Sequence, residues 1–400
     1  MRIVGIIAEY NPLHNGHIYH MEQAKAQTGA EYCIVVMSGN FVQRGEPACT
    51  DKFTRAEWAL HSGADLVLEL PSIYAVSTAE RFAMGGVRTL AGTGVVTDLA
   101  FGCEESDLST LYQLADIITT EPPAFTDALH AHLKLGKSYP RARFEALSDY
   151  GVPDRMLEAI IQPNNILAIE YLNALGLYAP SIQPVPITRV GCDYHSDTLT
   201  GVISSATAIR AALKAGNRDV LDAMPSIVGG AMLFDENFLI TQDSLSEMML
   251  YALRRMQPEE LAEIPDVGEG FENVLARAAR TVGSIGELYE TVKTKRYTLA
   301  RVKRIAVCAL LGITSDQVHA TVQSREGSYL RVLGFRKEAR PLLSRIGKSR
   351  QVPLILRNSD LASCPLIVQH DIDTDMLSTD LLIYATKKDI HRDLAGPVIV

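Results

Sequence analysis

His14 and His17 bracket the stretch His14-Asn15-Gly16-His17, which has the form HxGH. Two imidazoles at this spacing can donate to phosphate oxygens and stabilise charge that develops in a phosphoryl transition state. Gly16 lets the backbone approach a phosphate closely. His17 is placed where a helix begins, and unpaired N–H groups there favour anions. The same four residues would also serve as an ordinary capped strand–helix loop. A zinc centre is the poorer reading, because the loop completes no ligand set, so no metal site is assigned.

A second group lies about 190 residues later, in Ile203-Ser204-Ser205-Ala206-Thr207-Ala208-Ile209-Arg210. Ser205 is a good helix N-cap and Thr207 adds a hydroxyl in the first turn. Arg210 follows Thr207 by three residues, on the same side of a helix. Hydroxyls, free amides and a guanidinium can together hold triphosphate oxygens. Taken alone, the segment reads first as an ordinary capped helix with a solvated arginine.

These groups need a scaffold. Arg2–Ala8, Tyr32–Met37 and Asp65–Leu70 are short apolar runs, with Asp98–Phe101 a shorter one. His17–Gln27 and Arg55–Ser62 between them carry helical patterns. This alternation predicts an α/β fold with a Rossmann-like parallel sheet. The HxGH loop then falls at the carboxyl edge of the first strand, where nucleotides bind. Residues 107–161 read as a helical insertion, Ile182–Val190 as a further strand, and Ser205–Ala215 as a helix. From about 240 consecutive amphipathic helices follow: Leu245–Arg255, Glu272–Ala279, Ile285–Lys293 and Leu299–Leu311. Strand and turn segments come near Leu330 and Pro353–Leu356. The predicted domains are 1–240, with the insertion, and a mainly α-helical 241–400.

The chain has 400 residues, 47% of them apolar and 21% charged, which excludes a disordered polymer. No run is long and apolar enough for a membrane span, and the apolar start is too short for a secretory signal. Six scattered cysteines form no CxxC pair, so reduced thiols and a cytoplasmic location are expected. Net charge is −9, yet residues 290–350 carry 14 Lys+Arg against 4 Asp+Glu. One basic region on an acidic chain points to a localised polyanion site. Its densest part holds Lys293, Lys295, Arg296, Arg301, Lys303 and Arg304. If the helix starts early, 293, 296, 300 and 304 share a face, and Tyr297 can stack on a base. A solvated helix face is the competing reading.

The two motifs, in this order, resemble the HIGH-type nucleotidyltransferase superfamily, with Ala206 inserted in the second. Further blocks narrow the resemblance. These are Glu9–Pro12, Met37–Pro47 (MSGNFVQRGEP), Gly63–Pro71 (GADLVLELP) and Gln162–Leu167 (QPNNIL). They are similar to those of the bacterial tRNA(Met) cytidine acetate ligase family. That resemblance implies that ATP and acetate form acetyl-adenylate and pyrophosphate. The acetyl group then passes to the exocyclic amine of the wobble cytidine of elongator tRNA(Met). It implies an ATP site on Ile7, Ala8, Glu9, Tyr10, Asn11, Pro12, Leu13, His14, Asn15, Gly16, His17, Ile18, Tyr19 and His20, together with Gly102, Asn164 and Arg189. Read directly, Gly102 is a glycine at the sheet edge, Asn164 and Asn165 can read a base or cap a helix, and Arg189 ends a strand. Ser205, Thr207 and Arg210 complete the phosphate side, and Ser38, Asn40, Gln43 and Arg44 are candidates for the acetate or acceptor side. Magnesium is expected from the nucleotide chemistry; no protein partner is implied. A small-molecule adenylyltransferase would use the same two motifs, without needing a basic helical region. A non-catalytic RNA-binding module that kept the fold is the third possibility, disfavoured by the intact histidine pair.

Overall fold

The computed structural model describes residues 1–189, 204–234, 239–324, 328–386 and 392–400. Val190 and Ile203 lie outside the described residues, as do one of the six cysteines, Cys192, and two charged residues of the basic region, Arg325 and Glu326. Among the described residues there are ten strands: β1 Ile3–Ala8, β2 Tyr32–Ser38, β3 Phe41–Val42, β4 Glu46–Pro47, β5 Leu66–Leu70, β6 Asp98–Cys103, β7 Gln183–Thr188, β8 Leu330–Phe335, β9 Leu354–Ile355 and β10 Val398–Ile399. The main sheet runs β10-β8-β5-β2-β1-β6-β7, with β9 also paired to β8. β1, β2, β5, β6 and β7 are mutually parallel, as expected.

The central strands are apolar at nearly every position because both sheet faces are covered. Ile34, Val36, Leu66 and Leu68 enter one core cluster. Their neighbours Cys33, Val35, Met37 and Val67 enter the other. Chain order reverses at β1, which pairs β2 on one side and β6 on the other. The crevice beyond its carboxyl end is therefore the switch point where α/β sheets bind ligands. β7 forms the far edge, which accommodates Pro184 and Pro186, residues that lack an N–H for a second neighbour.

Helices Leu108–Thr120, Pro123–Lys134, Tyr139–Asp149 and Asp154–Ile160 fill the stretch expected to be a helical insertion. Beyond 240 the structure adds something the amphipathic pattern does not contain. β8 pairs antiparallel with β5, Leu66 opposite Phe335, and β10 pairs with β8. The sheet is thus mixed and draws strands from both sides of position 240. The six-residue segment Leu330–Phe335 shows local strand character but not which sheet it joins. The long helix Leu366–Thr386 also packs back on the first half: Asp375 Oδ1 accepts from Ser72 N at 2.7 Å. Among the described residues no single helix is long and apolar enough to cross a membrane.

Candidate nucleotide site

The loop after β1 is held open by an arginine the sequence reading did not single out. Arg55 is fully buried. Its Nη1 donates to Glu9 O at 2.7 Å and Ser38 O at 3.1 Å, its Nε to Thr50 O at 3.1 Å, and its Nη2 to Gly39 O. One guanidinium thus ties the carboxyl ends of β1 and β2. The loop then passes a cis Asn11-Pro12 bond and enters helix Asn15–Thr28.

His14 is the N-cap of that helix. Its Nδ1 accepts from Gly16 N at 3.1 Å, and His17 Nδ1 accepts from His14 N at 3.2 Å. With both Nδ1 atoms accepting, each neutral ring keeps its proton on Nε2. The rings stack at 3.7 Å, and Tyr10 meets His17 edge-on at 4.9 Å. Burial, reinforced by the positive charge of Arg189, pushes His14 down to about 3 and His20 down to about 4. Burial, then His14, holds His17 well below the usual imidazole range. The three rings are therefore neutral at physiological pH.

These side chains border a cleft of about 260 Å³ at the carboxyl ends of β1, β6 and β7. From the expected ATP set, Ile7, Ala8, Glu9, Tyr10, Asn11, His14, Gly16, His17, Tyr19, His20, Gly102, Asn164, Arg189, Ser205, Thr207 and Arg210 line it. Pro12, Leu13, Asn15 and Ile18 do not. Leu13 is fully buried in the core, and Asn15 Nδ2 donates to Asp222 O at 2.8 Å. A side chain on Gly102 would project beside Arg189 Cγ at 3.7 Å, so glycine keeps that wall low.

Ser205 spends its hydroxyl on the cap, accepting from Ala208 N at 3.0 Å, which leaves Thr207 as the hydroxyl of the first turn. Arg210 Nη1 donates to Asn11 O at 2.6 Å, joining the second motif to the first loop. Asn164 Nδ2 donates to Glu104 Oε1 at 2.5 Å, while Asn165 is buried and accepts from Glu104 N and Glu105 N. Asn165 is therefore a loop-fixing residue. Gln43, Arg44 and Glu46 line the cleft, and Gln43 N donates to Glu9 Oε1 at 2.9 Å. Ser38 and Asn40 are fully buried away from it. Asn40 binds Ser378, Thr379 and Lys52 N, so its amide is structural. Phe82, Phe101, Leu167, Tyr171 and Ile187 supply an apolar wall. These five come from core helices and strands, where a cleft-facing position has no signature distinct from packing.

Does this cleft suit a nucleotide? Tyr10 Oη and His20 Nε2 are buried in its wall without a hydrogen-bond partner. Buried polar atoms of this kind are costly unless a ligand or water meets them. Neutral Nε2–H donors, three arginines and an apolar wall suit a triphosphate attached to a flat base. Among the described residues, no group of three or more His, Cys, Asp or Glu gathers to hold a metal ion.

The basic run is placed differently from the single helical face considered above. The helix begins at Leu299, so Lys293–Thr298 is not helical. Tyr297 is buried, stacked on Phe271 at 3.7 Å with its hydroxyl on Gly268 O, and cannot offer its ring to a base. Arg304 pairs with Asp266, and Arg301 donates to Asp266 O. Lys303 pairs with Glu46 on the cleft wall. Lys293 and Arg296 pair with Glu290 and Glu269 but stay exposed, as does Lys295.

The sheet order, the HxGH cap and the Arg210 helix converging on one cleft define a HIGH-type nucleotidyltransferase, and the HIGH Nucleotidyl Transferase family model matches residues 1–394. Nearly full-length relatives narrow this. The chain is 39% identical to the tRNA(Met) cytidine acetate ligase of Acetivibrio thermocellus, over 98% of this chain and 97% of that one. It is 40% identical to that of Caldanaerobacter subterraneus subsp. tengcongensis, over 97% and 96%. Crystal structures of Thermotoga maritima TmcAL superpose over 100% of both chains at 32% identity. The TM-score is 0.93 for the apo form and 0.91 for the form bound with alpha-thio ATP. The chain belongs to the tRNA(Met) cytidine acetate ligase family.

Proposed function

We propose that this protein activates acetate with ATP and acetylates the wobble cytidine of elongator tRNA(Met). One observation carries the reading most. Two motifs about 190 residues apart bring His14, His17, Thr207 and Arg210 to a single cleft at the switch point of the sheet. Family membership makes acetate and the tRNA the natural substrates of that cleft.

The chemistry proceeds in two displacements. A carboxylate oxygen of acetate attacks the α-phosphorus, forming a P–O bond as the bond to pyrophosphate breaks. The N4 amine of cytidine then attacks the acetyl carbon. The C–O bond to AMP breaks, and the amine proton is lost. Acetate is a weak nucleophile and a poor acyl donor, so the first step must precede the second.

The residues act by position and field. The His14 and His17 Nε2–H groups donate to phosphate oxygens, as neutral rings that remain donors across physiological pH. Arg189 and Arg210 balance the triphosphate charge. The apolar wall receives adenine, and Gln43 and Arg44 border the acetate side. Magnesium is expected to arrive on the nucleotide's own oxygens, since among the described residues no carboxylate set is gathered to hold it. For tRNA, Lys293, Lys295 and Arg296 are the exposed cations of the basic run.

Incubation with labelled ATP, acetate and bulk tRNA tests the reading. AMP and pyrophosphate should accumulate, and digested tRNA should contain one acetylated cytidine by mass spectrometry. ADP release, or acetylation from acetyl-coenzyme A without ATP, would sink it. Adenylation of a small molecule with tRNA unmodified would favour a small-molecule adenylyltransferase. Reversal of Lys293, Lys295 and Arg296 to Glu should weaken tRNA binding, and wild-type affinity should fall steeply with salt. Equal affinity would make the run a solvated face.

A further inference from the structure

An acidic side chain sits where a polyanion is expected. Glu46 lies in the wall of the nucleotide cleft, close to the candidate phosphate arginine. Left to itself it would repel phosphate oxygens and compete with them for Arg210. Its geometry shows that its charge is committed elsewhere. Lys303 Nζ is 2.5 Å from Glu46 Oε1, whereas Arg210 Nη2 stands 3.8 Å from Oε2. Lys303 has 14% of its side chain exposed and Glu46 26%, so water screens the pair only in part.

Backbone contact fixes this arrangement. Lys303 belongs to helix Leu299–Leu311, and Glu46 to the β3–β4 hairpin. Gly45, the residue before Glu46, has φ +72°, a conformation that favours glycine. A Cβ there would lie 2.3 Å from Arg304 N and 2.5 Å from Lys303 C. The hairpin thus rests directly on the turn of helix that carries Lys303. The other side of the hairpin, through Val42, Gln43 and Arg44, faces the cleft.

We propose that Lys303 is a positioning residue of the nucleotide cleft: it holds the Glu46 carboxylate in an ion pair and so leaves Arg210 available to the nucleotide's phosphates. This rests on the nucleotide reading of the cleft. It removes Lys303 from the RNA-facing set and gives one cation of the basic run a task at the catalytic edge. Lys303 acts through Glu46 and touches no reacting atom.

A charge cycle on the full-length chain tests it, with ATP affinity read by calorimetric titration. Lys303→Met should weaken ATP binding about tenfold, within the range for coupled neighbouring charges. Glu46→Gln should tighten it about threefold, since a repulsive charge is lost. The double variant should return to within about twofold of wild type, because the charge that needed neutralising is gone. Lys303→Arg, which keeps the charge, should bind ATP as wild type does and guards against misfolding of the Met variant. Lys303→Met should leave tRNA affinity in gel shifts unchanged. Weaker ATP binding by Glu46→Gln would mean that the carboxylate contacts the nucleotide and would overturn the proposal. A double variant as weak as Lys303→Met would overturn it too. If the wild type bound no ATP, the nucleotide reading itself would fall, and this role with it.

Discussion

Two buried polar regions of this molecule use ionisable groups in opposite ways. In the first, Lys52, Glu69, Arg331 and Asp393 meet in the core. Lys52 Nζ lies 2.8 Å from Glu69 Oε1 and 3.1 Å from Asp393 Oδ1, and Arg331 reaches both carboxylates. Two cations and two anions spend their charge on each other, although Arg331 Nη1 and Asp393 Oδ2 have no hydrogen-bond partner. In the nucleotide cleft the buried histidines are neutral, and the polar atoms of Tyr10 and His20 are left over. A closed set of charges joins distant parts of the chain. An open set of donors is an unfilled requirement, and a ligand is what fills it.

The largest effect on this contrast should come from the closed set. Lys52→Met removes the nearer cation and leaves Glu69 facing Arg331 at 3.6 Å, so urea unfolding should show a loss of about 3–5 kcal/mol. A loss under about 1 kcal/mol, the size typical of an exposed pair, would mean that water reaches the cluster. In the open set the expected loss is in rate. His17→Ala removes a donor from the cleft and should raise the barrier by about 2.7–4 kcal/mol. Stability should fall less, by about 1 kcal/mol, because one helix-capping contact goes with the ring. Acetate-dependent ATP–pyrophosphate exchange and a thermal melt separate the two. Turnover equal to wild type would place His17 outside the chemistry. Arg189→Ala should weaken ATP about tenfold by calorimetry, the value of one charge-assisted contact. Asn164→Ala should do less, since Glu104 already holds that amide. Unchanged affinity in both would return them to structural roles.

The smallest and most discriminating effect is on pH dependence, where the two regions should oppose each other. His20 is held down to about 4, against a usual value of 6.5. The unfolded chain therefore binds a proton that the native one lacks, and stability falls as pH drops from 6.5 toward 4. Burial pushes Glu69 up from its usual 4.5, with Lys52 opposing. There the native state holds the extra proton, and stability falls as pH rises past the unfolded value of about 4.5. His20→Phe should flatten the acid side of a stability–pH curve measured by urea unfolding. Glu69→Gln should flatten the rise side, whatever its overall cost. Parallel shifts in both variants would show that neither group titrates as its surroundings dictate.

Legibility in the sequence followed the range of the interactions. β1, β2, β5 and β6 read well because continuous apolar runs report two-sided burial locally. The HxGH cap and the Ser205 helix start read well because capping uses neighbours two or three residues away. Arg55 escaped notice because its four acceptors are backbone carbonyls, which have no letter in a sequence. The partners of Tyr297, Lys303 and Arg304 were not legible, because a charge run does not reveal which distant residues meet it. Asp266 and Glu46 lie about 40 and 260 positions away from it. Ser38 and Asn40 were weighed as cleft residues for the same reason: the partners of Asn40, Ser378 and Thr379, arrive from a helix more than 330 residues later.

The antiparallel pairing of β8 with β5 carries a consequence for synthesis. About 260 residues separate the two strands. At about 5–20 residues per second, a ribosome leaves the outer edge of β5 without its neighbour for roughly 13–50 s. An uncovered strand of Leu66-Val67-Leu68-Glu69-Leu70 is a template for another chain's backbone. During that interval the Lys52–Glu69 pair also lacks Arg331 and Asp393. The nascent protein is therefore expected to need shielding until its last strands emerge. Ribosome-bound chains halted at residue 320 should recruit chaperone and be cut by protease near β5, and chains halted well beyond 400 should do neither. Equal protection at both lengths would show that the first half closes its own edge.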